Sequence, residues 1–278
     1  MNDALLLAWA DRIGAGAWPG FLLVLALAIC CTGVVSHRRA LPSQAAMKAG
    51  EPRTEDAPRL GLGLAGGFVM ILACAVVFAV LASLLGDSRL LQRFDDTLSA
   101  SIGRHTPAAV LAAFGLLTHF GEPLLLWAMG AGVALALVAR RHRGLALVWV
   151  AALLGNGVLN RVLKEIFSRT RPLIDGLPGP ASGYSFPSGH SSASMVAYAM
   201  LAWLGWRLLG ARWRTPLAMA ATAIILTTAC SRVFLQVHFA SDVLAGLCSG
   251  LAWTVVCITS AEHLRARRNR LSSQAAER

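Results

Sequence analysis

Residues 215–261 read TPLAMAATAIILTTACSRVFLQVHFASDVLAGLCSGLAWTVVCITSA, and within them only Arg232 and Asp242 carry a formal charge. The apolar stretches near 215–233 and 241–261 each approach the roughly 20 residues a helix needs to cross the hydrocarbon core. Across their junction runs Ser231-Arg232 at the end of the first, then, after five intervening residues, His238, and, after three more, Asp242 at the start of the second. An ionised group at the centre of a membrane helix costs about 2.5–3.5 kcal/mol. A cation, an imidazole and a carboxylate kept at such a break therefore call for a function. His238 and Asp242 are one helical turn apart. Asp242 can accept a hydrogen bond from one ring nitrogen, leaving the other free to attack. The plainer reading is a neutral core His–Asp pair, which the adjacent Arg232 makes less apt.

Five further stretches resemble these two, near 18–36, 64–86, 121–139, 144–164 and 190–209. The chain is 56% hydrophobic and 14% charged, where a soluble domain carries about 25% charged residues. It reads as an all-α, polytopic membrane bundle. The net charge of +11 fits the loop cations that membrane insertion selects, not a nucleic-acid partner. The six cysteines all fall within apolar stretches without metal-ligand spacing, and read as small packing residues. The first apolar run lacks a basic leader and a clear cleavage site.

Loop charge sets orientation. The connections 37–60, 140–143, 207–214 and the tail after 262 hold sixteen of the 25 Lys and Arg residues. They are expected on the cytoplasmic side, with the N-terminus outside and the C-terminus inside. The expected divisions are an N-terminal span and cytoplasmic linker over 1–60, a membrane core over 61–262 and a basic cytoplasmic tail over 263–278. In the 87–120 connection, Leu90, Phe94, Leu98 and Ile102 recur every four residues, and Val110, Leu111, Phe114 and Leu117 repeat a similar spacing. Two short helices on the membrane surface are expected, the alternative being that 108–120 extends the next span. The Gly- and Pro-rich 172–186 connection reads as an ordered loop.

That topology brings two further motifs to the side of His238, away from the cytoplasm. Lys164 ends one span, Arg171-Pro172 follows after six intervening residues, and Pro187-Ser188-Gly189-His190 opens the next span. Phosphoryl transfer spreads negative charge over equatorial oxygens. Arg171 and Arg232 can each offer a planar fork to two of them, and Lys164 adds a point charge. A helix start leaves amide groups free for an anion. There Gly189 permits close approach, the Ser188 hydroxyl can donate, and His190 can act as general acid. Taken alone, this tetrapeptide could also be an ordinary helix start. Asn156, Asn160 and Lys164 share a helix face, the amides reading chiefly as helix-pairing groups. Glu165 and Arg169, four apart, read as an exposed pair. Glu122, His119 and His105 lie on the same side without catalytic spacing.

These three motifs, in this order, resemble the type 2 phosphatidic acid phosphatase superfamily, which also contains glucose-6-phosphatase and the vanadium haloperoxidases. The resemblance covers roughly 64–262 and implies a six-span phosphatase core, leaving 18–36 as an extra N-terminal span. It implies that Lys164, Arg171 and Arg232 bind phosphate with help from Ser188 and Gly189. His238 is then the nucleophile that forms a phosphohistidine, Asp242 orients it, and His190 protonates the leaving group. No metal or other cofactor is implied. The expected partners are a lipid phosphate substrate and the surrounding membrane lipids, with the site at the outer face of a bacterial inner membrane. Candidate substrates are undecaprenyl diphosphate, phosphatidic acid, phosphatidylglycerol phosphate and lipid A phosphate. Lipid-to-lipid phosphotransfer, vanadium-dependent halide oxidation and non-enzymatic anion or lipid transport are the alternatives.

Overall fold

The structure is a computed structural model that describes residues 3–40, 64–87, 89–174, 177–178 and 183–276. Its helices are α1 (Asp3–Ala15), α2 (Ala17–Ala40), α3 (Leu64–Asp87), α4 (Arg89–His105), α5 (Ala108–Leu117), α6 (Pro123–Ala139), α7 (Arg143–Phe167), α8 (Gly189–Leu208), α9 (Arg214–Phe234) and α10 (Ala240–Ala276). Short 3-10 turns at Thr118–Gly121 and Ala211–Trp213 precede α6 and α9. The connection after α7 holds a two-residue antiparallel ribbon, β1 (Leu173–Ile174) with β2 (Leu177–Pro178). Of the connection expected over 37–60, residues 41–60 lie outside the described residues.

Among the described residues, five helices are long and apolar enough to cross a membrane, and Ala108–Gly121 with Pro123–Ala139, bent by 41°, makes a sixth when the pair is taken as one span. α8 is less apolar than these, since it opens with Gly189-His190-Ser191-Ser192. Its 20 residues nonetheless rise about 30 Å, and its neighbours bury Val196, Ala197, Met200 and Trp203. α8 is thus a span shielded by other spans. The architecture is a multi-pass helical bundle, a six-span core with α2 added.

Leaving lipid brings no hydrophobic gain, so such helices associate through close packing and interhelical hydrogen bonds. A Cβ on Gly246 would meet the Ser188 carbonyl at 2.5 Å, and one on Gly250 the Ser192 carbonyl at 2.8 Å. Glycine therefore lets α10 lie directly on the opening turns of α8. Trp149 Nε1 donates to Gly130 O (2.9 Å) and Trp253 Nε1 to Ala152 O (2.8 Å), tying α7 to α6 and α10. α7 and α9 end, and α8 and α10 begin, at one end of this antiparallel bundle.

The amphipathic helix α4 forms as its spacing predicts, but its apolar face does not meet lipid. Leu98 and Ile102 pack into a cluster with Ala10 of α1, Phe114 of α5 and Phe234 of α9. α1 lies along α4, with Arg104–Asp11 (2.8 Å) and Arg93–Asp3 (3.4 Å) ion pairs at its edges. α5 is not a separate surface helix. It runs into α6 across the 41° bend, as its almost wholly apolar sequence favours. The extra span α2 leans on α9, where Thr32 and Thr222 hydroxyls meet at 3.2 Å. The basic tail continues α10 as one exposed helix to Ala276.

Candidate active site

The carboxylate is fixed first. Asp242, on the first turn of α10, accepts from the Phe239 backbone N–H at 2.9 Å, closing the helix start as an acid at this position does. The same oxygen, Oδ2, accepts from the Ser185 hydroxyl and lies 3.5 Å from His238 Nδ1. Ser185 Oγ is 3.3 Å from that nitrogen. On the other side of the ring, Arg171 Nη1 lies 3.0 Å from His238 Nε2 and donates to Val237 O at 2.8 Å. A guanidinium has no acceptor, so Nε2 is the accepting nitrogen and the ring proton sits on Nδ1. The Nε2 lone pair thus points toward the cations. Burial pulls the imidazole down to about 4, against the hydrogen bond and charge of Asp242. It is neutral at pH 7.

Across the site, His190 stands on the first turn of α8 with its Nε2 buried and without a hydrogen-bond partner. Glu122 Oε1 is 3.6 Å away. Arg232, at the end of α9, donates to Thr118 Oγ1 at 2.8 Å, and its carbonyl accepts the His238 N–H at 3.1 Å. The 3-10 turn between α5 and α6 fits closely here. A Cβ on Gly121 would meet Thr228 Cγ2 at 2.5 Å and His190 Cδ2 at 3.0 Å.

Lys164 ends the face that carries Asn160 and donates to the Tyr184 carbonyl. Gly189 sits against both, its missing side chain 3.3 Å from Asn160 Oδ1 and 4.0 Å from Lys164 Cε. Asn160 Nδ2 donates to Ser192 Oγ at 3.1 Å, pairing α7 with α8. Ser188 caps α8: its oxygen accepts from the Ser191 N–H (3.4 Å) and hydroxyl (2.9 Å), and its own N–H donates to Asp242 O (2.9 Å). The motif side chains Lys164, Arg171, Ser188, Gly189, His190, Arg232, His238 and Asp242 therefore gather at one end of the bundle. Among the described residues, no three His, Cys, Asp or Glu side chains converge as a metal site.

At the site itself, one expectation is overturned. Arg169 is not half of an exposed pair with Glu165 but a buried residue, 8% exposed, ion-paired to Asp242 (2.7 Å) and Asp95 (2.9 Å). The helical phase used to pair it stops at Phe167, and Ser168 turns left-handed with φ 44°. Three more residues were not singled out as part of the site. Ser185 lies in a loop with no periodic signal, and Thr118 and Glu122 reach it through contacts between distant helices.

The sequence pattern of the PAP2 superfamily matches residues 144–265, the stretch that holds all three motifs. Lipid A 1-phosphatase from Rhizobium etli is 35% identical over 180 residues, covering 56% of this chain and 72% of that protein. The chain belongs to the PAP2 superfamily. Decaprenylphosphoryl-5-phosphoribose phosphatase from Mycolicibacterium smegmatis is 33% identical over 141 residues, 49% of this chain and 71% of that protein. Phosphatidylglycerophosphatase B from Bacillus subtilis is 38% identical over 96 residues, but the match spans 34% of this chain and 47% of that relative. The PAP2 fold is also seen in the crystal structure of a transmembrane PAP2-type phosphatidylglycerolphosphate phosphatase from Bacillus subtilis. That structure superposes with a TM-score of 0.63 at 24% identity, over 70% of this chain and 96% of the other. This PAP2 protein is a membrane phosphatase.

Proposed function

We propose that this PAP2 phosphatase cleaves a phosphate ester or diphosphate from a lipid through a phosphohistidine on His238. The observation that carries the reading is the 3.0 Å approach of the Arg171 guanidinium to His238 Nε2: an anion that takes over the arginine's N–H groups would replace this contact and meet the Nε2 lone pair. Lys164, Arg171 and Arg232 hold the phosphoryl oxygens and stabilise the charge that develops on them. His238 Nε2 forms a bond to phosphorus as the bond from phosphorus to the leaving oxygen breaks. The Nδ1 proton stays on the ring, held toward Ser185 and Asp242. His190 gives its proton to the departing lipid oxygen. It then takes one from the water that attacks the phosphohistidine, releasing inorganic phosphate and restoring His238.

The cations do electrostatically what a metal does in other phosphoryl-transfer sites, so turnover in excess EDTA should be undiminished. The positive-inside pattern supports a site facing the periplasm or exterior with the C-terminus in the cytoplasm, and the bacterial relatives support an inner-membrane location. A C-terminal reporter checks that orientation. Phosphatidic acid, phosphatidylglycerol phosphate, undecaprenyl diphosphate and lipid A are the substrates to compare. Purified protein offered this panel should release phosphate from at least one, with kcat/KM ranking the lipids. Phosphate appearing only when an acceptor lipid is supplied, and then on that lipid, would make the chain a phosphotransferase. No release from any panel lipid would contradict the proposal.

A further inference from the structure

Arg169 lies between Lys164 and Arg171 in sequence, yet its guanidinium turns away from the phosphate-binding set. Nη1 donates to Asp242 Oδ1 and to Ser241 Oγ, both at 2.7 Å. Nη2 donates to Asp95 Oδ2 at 2.9 Å and Gln92 Oε1 at 3.0 Å. The Phe239 ring lies 4.2 Å from its Cζ, and the Ser241 hydroxyl donates to Asp95. The Asp242 oxygens are thereby divided: Oδ1 belongs to Arg169, and Oδ2 to Ser185, Phe239 and the His238 side. A carboxylate tethered on both oxygens cannot rotate. Asp95, 2% exposed, anchors the far end of Arg169 on α4. α4 is itself fixed to α1 by Ser101 Oγ donating to Asp11 O at 2.8 Å, and to the His238 loop by Gln236 Nε2 donating to Ser99 O at 2.9 Å.

We propose that Arg169, braced by Asp95 on α4, is a positioning residue that fixes the Asp242 carboxylate and through it the orientation of His238. The proposal rests on the reading of His238 as nucleophile. It gives the α1–α4 layer a task in the reaction, because that layer holds the far end of the brace. A buried arginine shared by two carboxylates could instead serve only stability, so the test needs readouts that stability alone does not move.

Arg169→Gln, Arg169→Lys, Asp95→Asn and the Arg169→Gln/Asp95→Asn double variant are purified as full-length protein in detergent. Each is assayed on the panel lipid with the highest wild-type kcat/KM. Arg169→Gln should lower kcat about 100-fold, the upper range for lost supporting partners, with KM within about threefold because the phosphate-binding cations remain. Asp95→Asn should lower kcat about tenfold with the same unchanged KM, and Arg169→Lys should restore kcat only in part, since one ammonium cannot span both carboxylates. The double variant should be no worse than Arg169→Gln alone, as expected of residues acting as one unit. The groups facing His238 are Asp242, Arg171 and Lys164, and none changes in these variants. Loss of the Arg169 charge should therefore move the acid limb of kcat to higher pH. Unchanged kcat and pH profile in Arg169→Gln or, if that variant does not fold, in Asp95→Asn would overturn the proposal, as would a rise in KM at constant kcat. His238→Gln separates the two layers. Full activity there removes the nucleophile itself, whereas an inactive His238→Gln beside fully active Arg169→Gln and Asp95→Asn removes only the brace.

Discussion

The two histidines at the motif end of the bundle are held in opposite ways. His238 is 2% exposed, and both of its ring nitrogens face a partner: Arg171 on one side, Ser185 and Asp242 on the other. His190 keeps a buried Nε2 with no hydrogen-bond partner, and the nearest carboxylate, Glu122, is 3.6 Å away and half-exposed. A nucleophile gains from a single fixed lone pair, because aligned attack lowers the barrier through pre-organisation. A group that protonates a leaving oxygen and later takes a proton from water needs an unclaimed nitrogen where the ligand arrives. The asymmetry supports the proposed division, with one histidine for each task.

The largest effects test that division. His238→Gln should lower kcat by at least about 10⁴-fold on every substrate. His190→Gln should lower it about 10²–10³-fold on a lipid alcohol leaving group. With p-nitrophenyl phosphate, whose leaving group needs no proton, the His190→Gln loss should shrink to within about tenfold while His238→Gln stays inactive. Equal rescue of both variants, or of neither, would break the comparison. Glu122→Gln should have a smaller effect, a fall in kcat of about three- to tenfold on the lipid alcohol, vanishing on p-nitrophenyl phosphate. A loss that persists on the activated substrate would detach Glu122 from His190. The smallest effect is the absence of one. Because burial holds His238 near 4, kcat/KM should lose nothing to its protonation as pH falls from 7 to about 5. An acid limb centred near 6.5, the ordinary imidazole value, would contradict its environment. The same shift has a sign for stability. Between pH 6.5 and about 4 the unfolded chain takes up a proton that the folded His238 refuses, so acidification through that window destabilises the fold.

Much of this was legible in the chain. Lys164, Arg171, His190, Arg232, His238 and Asp242 stand at span ends or breaks, and the alternation of spans brings them to one end of the bundle. What was not legible depended on a break in periodicity or on which surface meets which. The left-handed Ser168 ends the phase that placed Arg169 beside Glu165, so helical extrapolation put a buried arginine in solvent. The apolar face of α4 was readable, but not its cover. The same pattern suits lipid or protein, and here α1, α5 and α9 supply the protein. Thr118 and Glu122 join the site through the bend between α5 and α6, a junction that an apolar sequence gives little means of locating. The function of the extra N-terminal segment was likewise unreadable. Its contacts with α4 and α9 set it against the layer proposed to hold the far end of Arg169.

The most direct test of the account is to trap the intermediate. Protein mixed with a substrate carrying ³²P in the scissile phosphate is quenched in alkali within milliseconds, digested and mapped by mass spectrometry. The account predicts label on Nε2 of His238, absent in His238→Gln. Turnover without labelled protein, or label on His190 or any other side chain, would contradict it.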